Sequence, residues 1–323
     1  MRRRSLLLGG TLALVPTFSR AQTRLVIGWL DGISSAGSEI RINAFGDGLR
    51  EAGFRDGDNV TIEYRFAEGR YERLPILAQE LIQQGAAVIF AANGENSVKA
   101  AIAATSTVPI VFAFGGDPVA AGIVSSYGRP QTNVTGVTFL NLQLIQKRIE
   151  LLNELLPGKA SLAKLANPKN GNFADVQSLV EMTAKQIGRR VIILTADSTA
   201  AFEPAFATLK EQGGVGMEIG ADALLTANGD RFADIAARYR IACIMSLSQF
   251  AVGGGLMSYG ASISAATKLA AGYVAKLLKG ARPSDLPIIQ SESFEFAINL
   301  KTARALNLRV PASLLARANQ VIE

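Results

Sequence analysis

The residues from Phe112 to Gly136 read FAFGGDPVAAGIVSSYGRPQTNVTG. An apolar run ends in Gly115-Gly116-Asp117-Pro118. Three chemistries fit such a turn: a phosphate cradle, a catalytic carboxylate, or the rim of a binding pocket. A phosphate loop requires GxxxxGK[ST], and no lysine follows these glycines. A catalytic carboxylate requires an acid or base partner, and the sequence names none. A rim fits the residue types: the glycines let backbone approach a ligand closely, Asp117 suits a helix N-cap and Pro118 suits the first helical position.

The rest of the chain narrows the chemistry further. It contains no histidine, so Ser-His-Asp and Cys-His nucleophiles, histidine bases and His-ligated zinc are excluded. The single cysteine, Cys243, lies between Ile241-Ala242 and Ile244-Met245 and reads as a small buried hydrophobe. No G-x-S-x-G elbow occurs. The reading assigns no catalytic residue, no metal ligand and no cofactor.

Strand and helix signals alternate. Leu25–Leu30 is a continuous apolar run, the pattern of a strand covered on both faces. Ser38–Ala52 has helical periodicity and stops at Gly53. Val60–Phe66 alternates like an edge strand. Leu74–Gln84 reads as a helix, Ala87–Ala91 as a strand, Glu95–Thr105 as a helix and Pro109–Phe114 as a strand. A short helix is expected after Asp117, then a strand over Val134–Thr138. The series restarts with a helix at Leu144–Leu156. Strands are expected at Leu162–Ala166, Arg190–Thr195, Ala223–Ala227 and Ile241–Met245, with helices between them. A helix over Ser262–Leu278, a strand over Phe294–Leu300 and a helix over Lys301–Leu306 follow. The fold class is therefore α/β: two β-α-β-α series in tandem, each about the length of one domain, with parallel sheets and right-handed crossovers.

In such sheets ligands sit at the carboxyl ends of the strands. That edge carries Asp31–Ser35 with Ser34 and Ser35, then Asn93-Gly94, then Gly115-Gly116-Asp117. In the second lobe it carries Asn167 to Asn172, Thr195 to Ser198, Asn228 to Asp230, and Ser246. These loops are rich in small polar groups, which suits a cleft for a small polar or zwitterionic molecule. An anionic end would meet amides at Asn93-Gly94 and Gly115-Gly116, where helix N-termini favour negative charge. Asn167, Asn172, Asn228 and Asp230 would complete the site on closure. Asp117 or Asp230 would pair with an ammonium. Tyr259 would line the cleft floor near a hinge.

The N-terminus, MRRRSLLLGGTLALVPTFSRAQ, reads as an export signal over residues 1–21. Three arginines precede an apolar stretch too short to span a bilayer, and Ser19-Arg20-Ala21 suits cleavage after Ala21. Arg3-Arg4 also fits a twin-arginine pattern. The formal charge is +6, but four of the 33 basic residues lie in this segment. The remaining 29 face 27 acidic residues, so no nucleic-acid-binding surface is expected. A soluble periplasmic protein without stable membrane insertion is.

Four stretches carry a family resemblance: GGDPVAAGIVSSYGRPQTNVTGVT, LANPKNGN, GGLMSYG and the tail from Asp285 to Glu323. Together, in this order, they resemble the ABC transporter substrate-binding protein family (TrpX-like) of the type I periplasmic-binding-protein fold. The resemblance implies two Rossmann-like lobes with the ligand cleft between them, joined by three hinge crossovers near Phe139-Leu140, Gly260-Ala261 and Ile289–Ser291. It divides the chain into an N-terminal lobe of 22–139 plus 262–290 and a C-terminal lobe of 140–261 plus 291–323. It implies a monomer that closes on a small ligand and delivers it to an ABC permease and its ATPase. An amino acid or related small carboxylate, aromatic ones included, is the favoured ligand. A sensory receptor of the same fold, or an exported α/β enzyme using a Ser–Lys or carboxylate pair, is the alternative.

Overall fold

A computed structural model describes residues 24–130, 132–139, 143–170 and 172–323. The export segment, residues 1–21, and Leu140 of the first crossover lie outside the described residues.

Strands β1 (Leu25–Asp31), β2 (Val60–Phe66), β3 (Ala86–Ala92), β4 (Ile110–Phe114) and β5 (Val134–Thr138) belong to the first sheet. Helices α1 (Ser35–Glu51), α2 (Leu74–Gln83) and α3 (Glu95–Ala104) connect them. The second series has α4 (Leu144–Leu155), β6 (Leu162–Ala166), α5 (Phe173–Ile187), β7 (Val191–Thr195), α6 (Phe202–Glu211) and β8 (Gly216–Ile219). It continues with α7 (Ala223–Thr226), α8 (Gly229–Tyr239), β9 (Ala242–Met245), α9 (Ser248–Val252) and β10 (Met257–Ala261). The tail contains α10 (Ile263–Leu278), β11 (Ile289–Gln290), β12 (Phe294–Asn299), α11 (Leu300–Ala305), α12 (Ala312–Leu315) and β13 (Gln320–Ile322).

The first sheet has the order β11-β5-β4-β3-β1-β2 and the second β13-β12-β10-β9-β8-β6-β7. Every pairing is parallel except β10 with β12. That exception follows from the tail, which enters the second sheet from the side of the first: Ser262 N–H donates to Ser293 O at 2.8 Å. The chain thus leaves the first sheet after β5, returns after β10, and leaves again between β11 and β12.

Both faces of each sheet are covered, which is why β3 and β4 are apolar along almost their whole length. On one face of the first sheet Trp29, Phe45 and Phe90 form a fully buried aromatic cluster, with Trp29 edge-on to Phe45 at 5.2 Å. Trp29 is a core residue, and its burial alone is worth roughly 1.5–3 kcal/mol. Helix α10 packs against α1 on this face. The contact is close because Gly48 has no side chain: a Cβ there would lie 2.7 Å from Lys268 O. Leu74, Leu81 and Phe112 fill the opposite face.

Two expected elements differ. The run Ala223–Ala227 is not a strand; residues 223–226 form the short helix α7. The strand at this place is β8, over Gly216-Met217-Glu218-Ile219. No helix follows Asp117. Residues 118–122 form turns, closed by Ala121 N–H to Asp117 O at 2.9 Å and ended by Gly122 at φ +68°.

Candidate functional site

The carboxyl ends of β1, β3, β4 and β5 share one edge of the first sheet. Asp31 closes β1 and is fully buried. Its carboxylate accepts from Ser38 Oγ at 2.6 Å, Ile33 N at 3.1 Å and Trp29 Nε1 at 3.3 Å. These bonds fix the turn into α1. Ser34 caps that helix, accepting from Gly37 N at 3.3 Å, and Ser35 is exposed. At the end of β3, Asn93 takes φ +60° and Gly94 φ +118°. The left-handed step places the free first-turn amides of α3 beside the strand end. Ser97, in that turn, is 1% exposed, and its Oγ has no hydrogen-bond partner among the described residues.

Arg41, on α1, reaches the same place. Its Nη2 donates to Asn93 Oδ1 at 3.2 Å. Among the described residues no carboxylate lies within ion-pair distance of it. Burial lowers the Arg41 guanidinium below the usual arginine range, partly offset by the field of Asp31. A half-buried cation without a direct ion-pair partner is costly, so an anion arriving here gains more than one at an exposed arginine. Sequence reading passed over Arg41 as one charge on a helix face.

Gly115 and Gly116 end β4, and Thr138 Oγ1 donates to Gly116 O at 2.6 Å. Asp117 Oδ1 accepts from Val119 N at 2.8 Å, Ala120 N at 3.3 Å and Tyr127 OH at 3.2 Å. The capping role is realised on a turn, so no helix dipole stands behind Gly115-Gly116. Burial and then the Asp117 charge push the Tyr127 phenol up.

On the second sheet the residue at the end of β8 is Asp222, which the misplaced strand had hidden. Its Oδ1 accepts from Leu224 N at 2.9 Å, Leu225 N at 3.4 Å and Asn167 Nδ2 at 3.3 Å. Its Oδ2 accepts from Asn170 Nδ2 at 3.4 Å. An Asp just before an apolar run is a cap signature, and that signal could have found it. Asn167 is therefore second to Asp222, positioning it. Asn172 is exposed ahead of α5.

Asn228 Nδ2 donates to Leu224 O at 2.8 Å. Asn228 and the exposed Asp230 line a pocket of about 330 Å³ with Met245, Leu247 and Phe250, past the end of β9. Ser246 is 5% exposed, covered by β10, where Gly260 lies directly on the Ser246 carbonyl. Tyr259 is half-buried and stacks on Phe294 at 6.0 Å between centroids.

Tyr71, on the β2–α2 connection, is pushed up first by burial and then by the charges of Asp222 and Asp31. One phenol thus feels a carboxylate from each sheet. Its ring lies over Gly32, where a Cβ would sit 2.9 Å from Tyr71 Cε1.

Beneath the second edge, Arg148 Nε lies 2.7 Å from Glu218 Oε1, and Lys164 Nζ pairs with Glu218 Oε2. All three side chains are buried. Arg148 Nη1 also donates to Tyr259 O at 3.2 Å, tying the cluster to β10. Burial pushes Glu218 up, but Lys164 and Arg148 together hold it below the usual carboxylate range. Ser161 and Lys164 have S-x-x-K spacing, a pair the enzyme alternative would need. Lys164 is in β6 and committed to Glu218, and Ser161 lies ahead of that strand.

A family model described as ABC transporter substrate binding protein matches residues 30–322. The chain belongs to this family. A tyrosine-binding protein of Clostridioides difficile (strain R20291) is 24% identical over 261 residues, which is 81% of this substrate-binding protein and 74% of the relative. A Streptococcus pneumonia ABC domain solved in complex with L-Trp has a TM-score of 0.82 at 23% identity, covering 93% of this chain and 100% of that one. A ligand-free, open substrate-binding protein with adhesive properties from Clostridium difficile has a TM-score of 0.72 at 23% identity, covering 92% and 99%. The family and the type I fold are those that the sequence motifs resemble.

Proposed function

We propose that this substrate-binding protein captures a small polar ligand, an amino acid or related small carboxylate, and hands it to an ABC permease and its ATPase outside the cytoplasm. It binds and does not catalyse. The observation that carries this reading is the pair of charged groups at the strand ends of the two sheets: Arg41, held by Asn93 with no ion-pair partner among the described residues, on the first, and Asp222, bonded by Asn167 and Asn170, on the second. The relatives named for tyrosine and solved with L-Trp favour an aromatic side chain. The lobes are 22–139 plus 262–290 and 140–261 plus 291–323, and the three crossings are the hinge.

Asn93 and Gly94 receive the ligand from the first lobe, with Ser34, Ser35, Gly115, Gly116 and Asp117 around them. Asn167, Asn172, Asn228 and Asp230 face it from the second, with the buried Ser246 and the half-buried Tyr259 supporting that edge. Ligand binds the closed arrangement more tightly and so shifts the population towards it. Small-angle scattering with and without a saturating mixture of the twenty amino acids tests this. The radius of gyration should fall with ligand. An unchanged radius, with binding shown by a melting shift in the same sample, contradicts hinge closure.

A further inference from the structure

We infer that Arg41 and Asp222 are the two ends of a clamp for a zwitterion, one from each lobe. Arg41 takes the α-carboxylate and Asp222 takes the α-ammonium. This rests on the small-ligand reading above and deepens it to one class, free α-amino acids.

Arg41 has the geometry of an anion receptor that is short of its anion. One nitrogen is held by Asn93 Oδ1 at 3.2 Å, which aims the guanidinium at the end of β3. The residue is half-buried, and among the described residues no acid pairs with it. Asp31, the acid of that neighbourhood, already accepts from Ser38, Ile33 and Trp29. Beside Arg41 the chain turns through Asn93 and Gly94 into α3, a ten-residue helix whose first amides are free. Ser97 Oγ, in that first turn, is buried and unpartnered among the described residues. A fork of guanidinium N–H groups and helix-end amides matches a planar carboxylate, which accepts through both oxygens.

Asp222 has the complementary geometry. Three donors fill Oδ1, and they hold the carboxylate rigidly. Among the described residues Oδ2 takes only the long bond from Asn170 at 3.4 Å, leaving acceptor capacity for an N–H group. Asp117 and Asp230 are poorer ammonium partners. Asp117 Oδ1 is committed to its turn and to Tyr127, and Asp230 is exposed at the start of α8. Because the two charges belong to different sheets, only a molecule carrying both ends bridges them, and bridging is what holds the lobes together.

The experiment is calorimetric titration of the full chain and its variants. The probes are L-tyrosine and L-tryptophan, their amines tyramine and tryptamine, and their deaminated acids 3-(4-hydroxyphenyl)propanoate and indole-3-propanoate. The other eighteen amino acids are screened if neither aromatic binds, with the matching amine and acid made for the best one. The amino acid should bind at least tenfold tighter than its amine or its acid. Arg41→Met should weaken the amino acid at least tenfold and leave the amine unchanged. Asp222→Asn, which keeps the cap acceptor, should weaken the amino acid at least tenfold and leave the deaminated acid unchanged. Arg41→Lys should fall between wild type and Arg41→Met, and a melting curve for each variant separates misfolding from lost contact. Amino-acid binding that both substitutions leave intact overturns the clamp alone. Binding of a sugar, nucleoside or simple carboxylate with none of the twenty amino acids overturns the clamp and the amino-acid reading together.

Discussion

Arg148 and Glu218 meet at 2.7 Å with both side chains fully buried, and Lys164 approaches the other oxygen of the same carboxylate. Two cations therefore share one anion inside the second lobe. Glu218→Gln removes the carboxylate that both cations contact and leaves them buried. It should destabilise the protein by about 3–5 kcal/mol, the usual result of breaking a buried ion pair. Lys164→Met leaves Arg148 and Glu218 as a neutral pair and should cost much less. Urea unfolding of the two variants measures the difference.

The same cluster sets a pH response. Glu218 is held below its ordinary value of 4.5 by Lys164 and Arg148, against the upward push of burial. A carboxyl depressed in the folded state contributes stability that is fully present above its unfolded value. That stability is lost as pH falls through the folded value. Melting temperature should therefore drop below about pH 4.5, and Glu218→Gln should flatten part of the drop. A wild-type profile no steeper than that of Glu218→Gln contradicts the assignment.

Gly260 has no room for a side chain. A Cβ there would fall on the Ser246 carbonyl oxygen. Because the obstacle is backbone, it cannot swing aside. Gly260→Ala should cost about 1–3 kcal/mol as β10 shifts from β9. The loss shows in a thermal melt. A melt matching wild type would mean that the β9–β10 contact is looser than described.

Asp31 holds the β1–α1 turn through three donors, one of them the indole of Trp29, the sole tryptophan of the chain. Asp31→Asn, with its oxygen kept on Ile33 N, replaces Oδ2 with an N–H donor against Ser38 Oγ and Trp29 Nε1. A loss of about 1.5–3 kcal/mol is expected for hydrogen bonds to a charged group. Intrinsic fluorescence should shift as the indole loses its acceptor, and an unmoved spectrum contradicts the bond.

Much of the fold was legible in local patterns, and the reasons can be read from particular elements. β1, β3 and β4 are covered on both faces, so their apolar runs announced them. β8 was hidden because Gly216-Met217-Glu218-Ile219 holds a glycine and a glutamate. Glu218 is tolerated there only because Arg148 and Lys164 arrive from α4 and β6. Ala223-Leu224-Leu225-Thr226 is apolar and too short for periodicity to separate strand from helix. Its helix is decided by Asp222, which caps it. The edges of the sheets, and with them Asn93 and Asn167, followed from strand direction. Arg41 did not, because its meaning depends on Asn93, fifty-two residues further along the chain.

The most direct test of the central claim is titration of the intact protein with L-tyrosine and L-tryptophan, followed by recovery of the ligand. Saturable one-to-one binding of an amino acid, recovered unchanged, is the expected result. At about 100 times the dissociation constant it should add roughly 2.7 kcal/mol of stability. An amino acid recovered chemically altered, or saturation by a sugar or nucleoside with no response to any amino acid, would contradict the account.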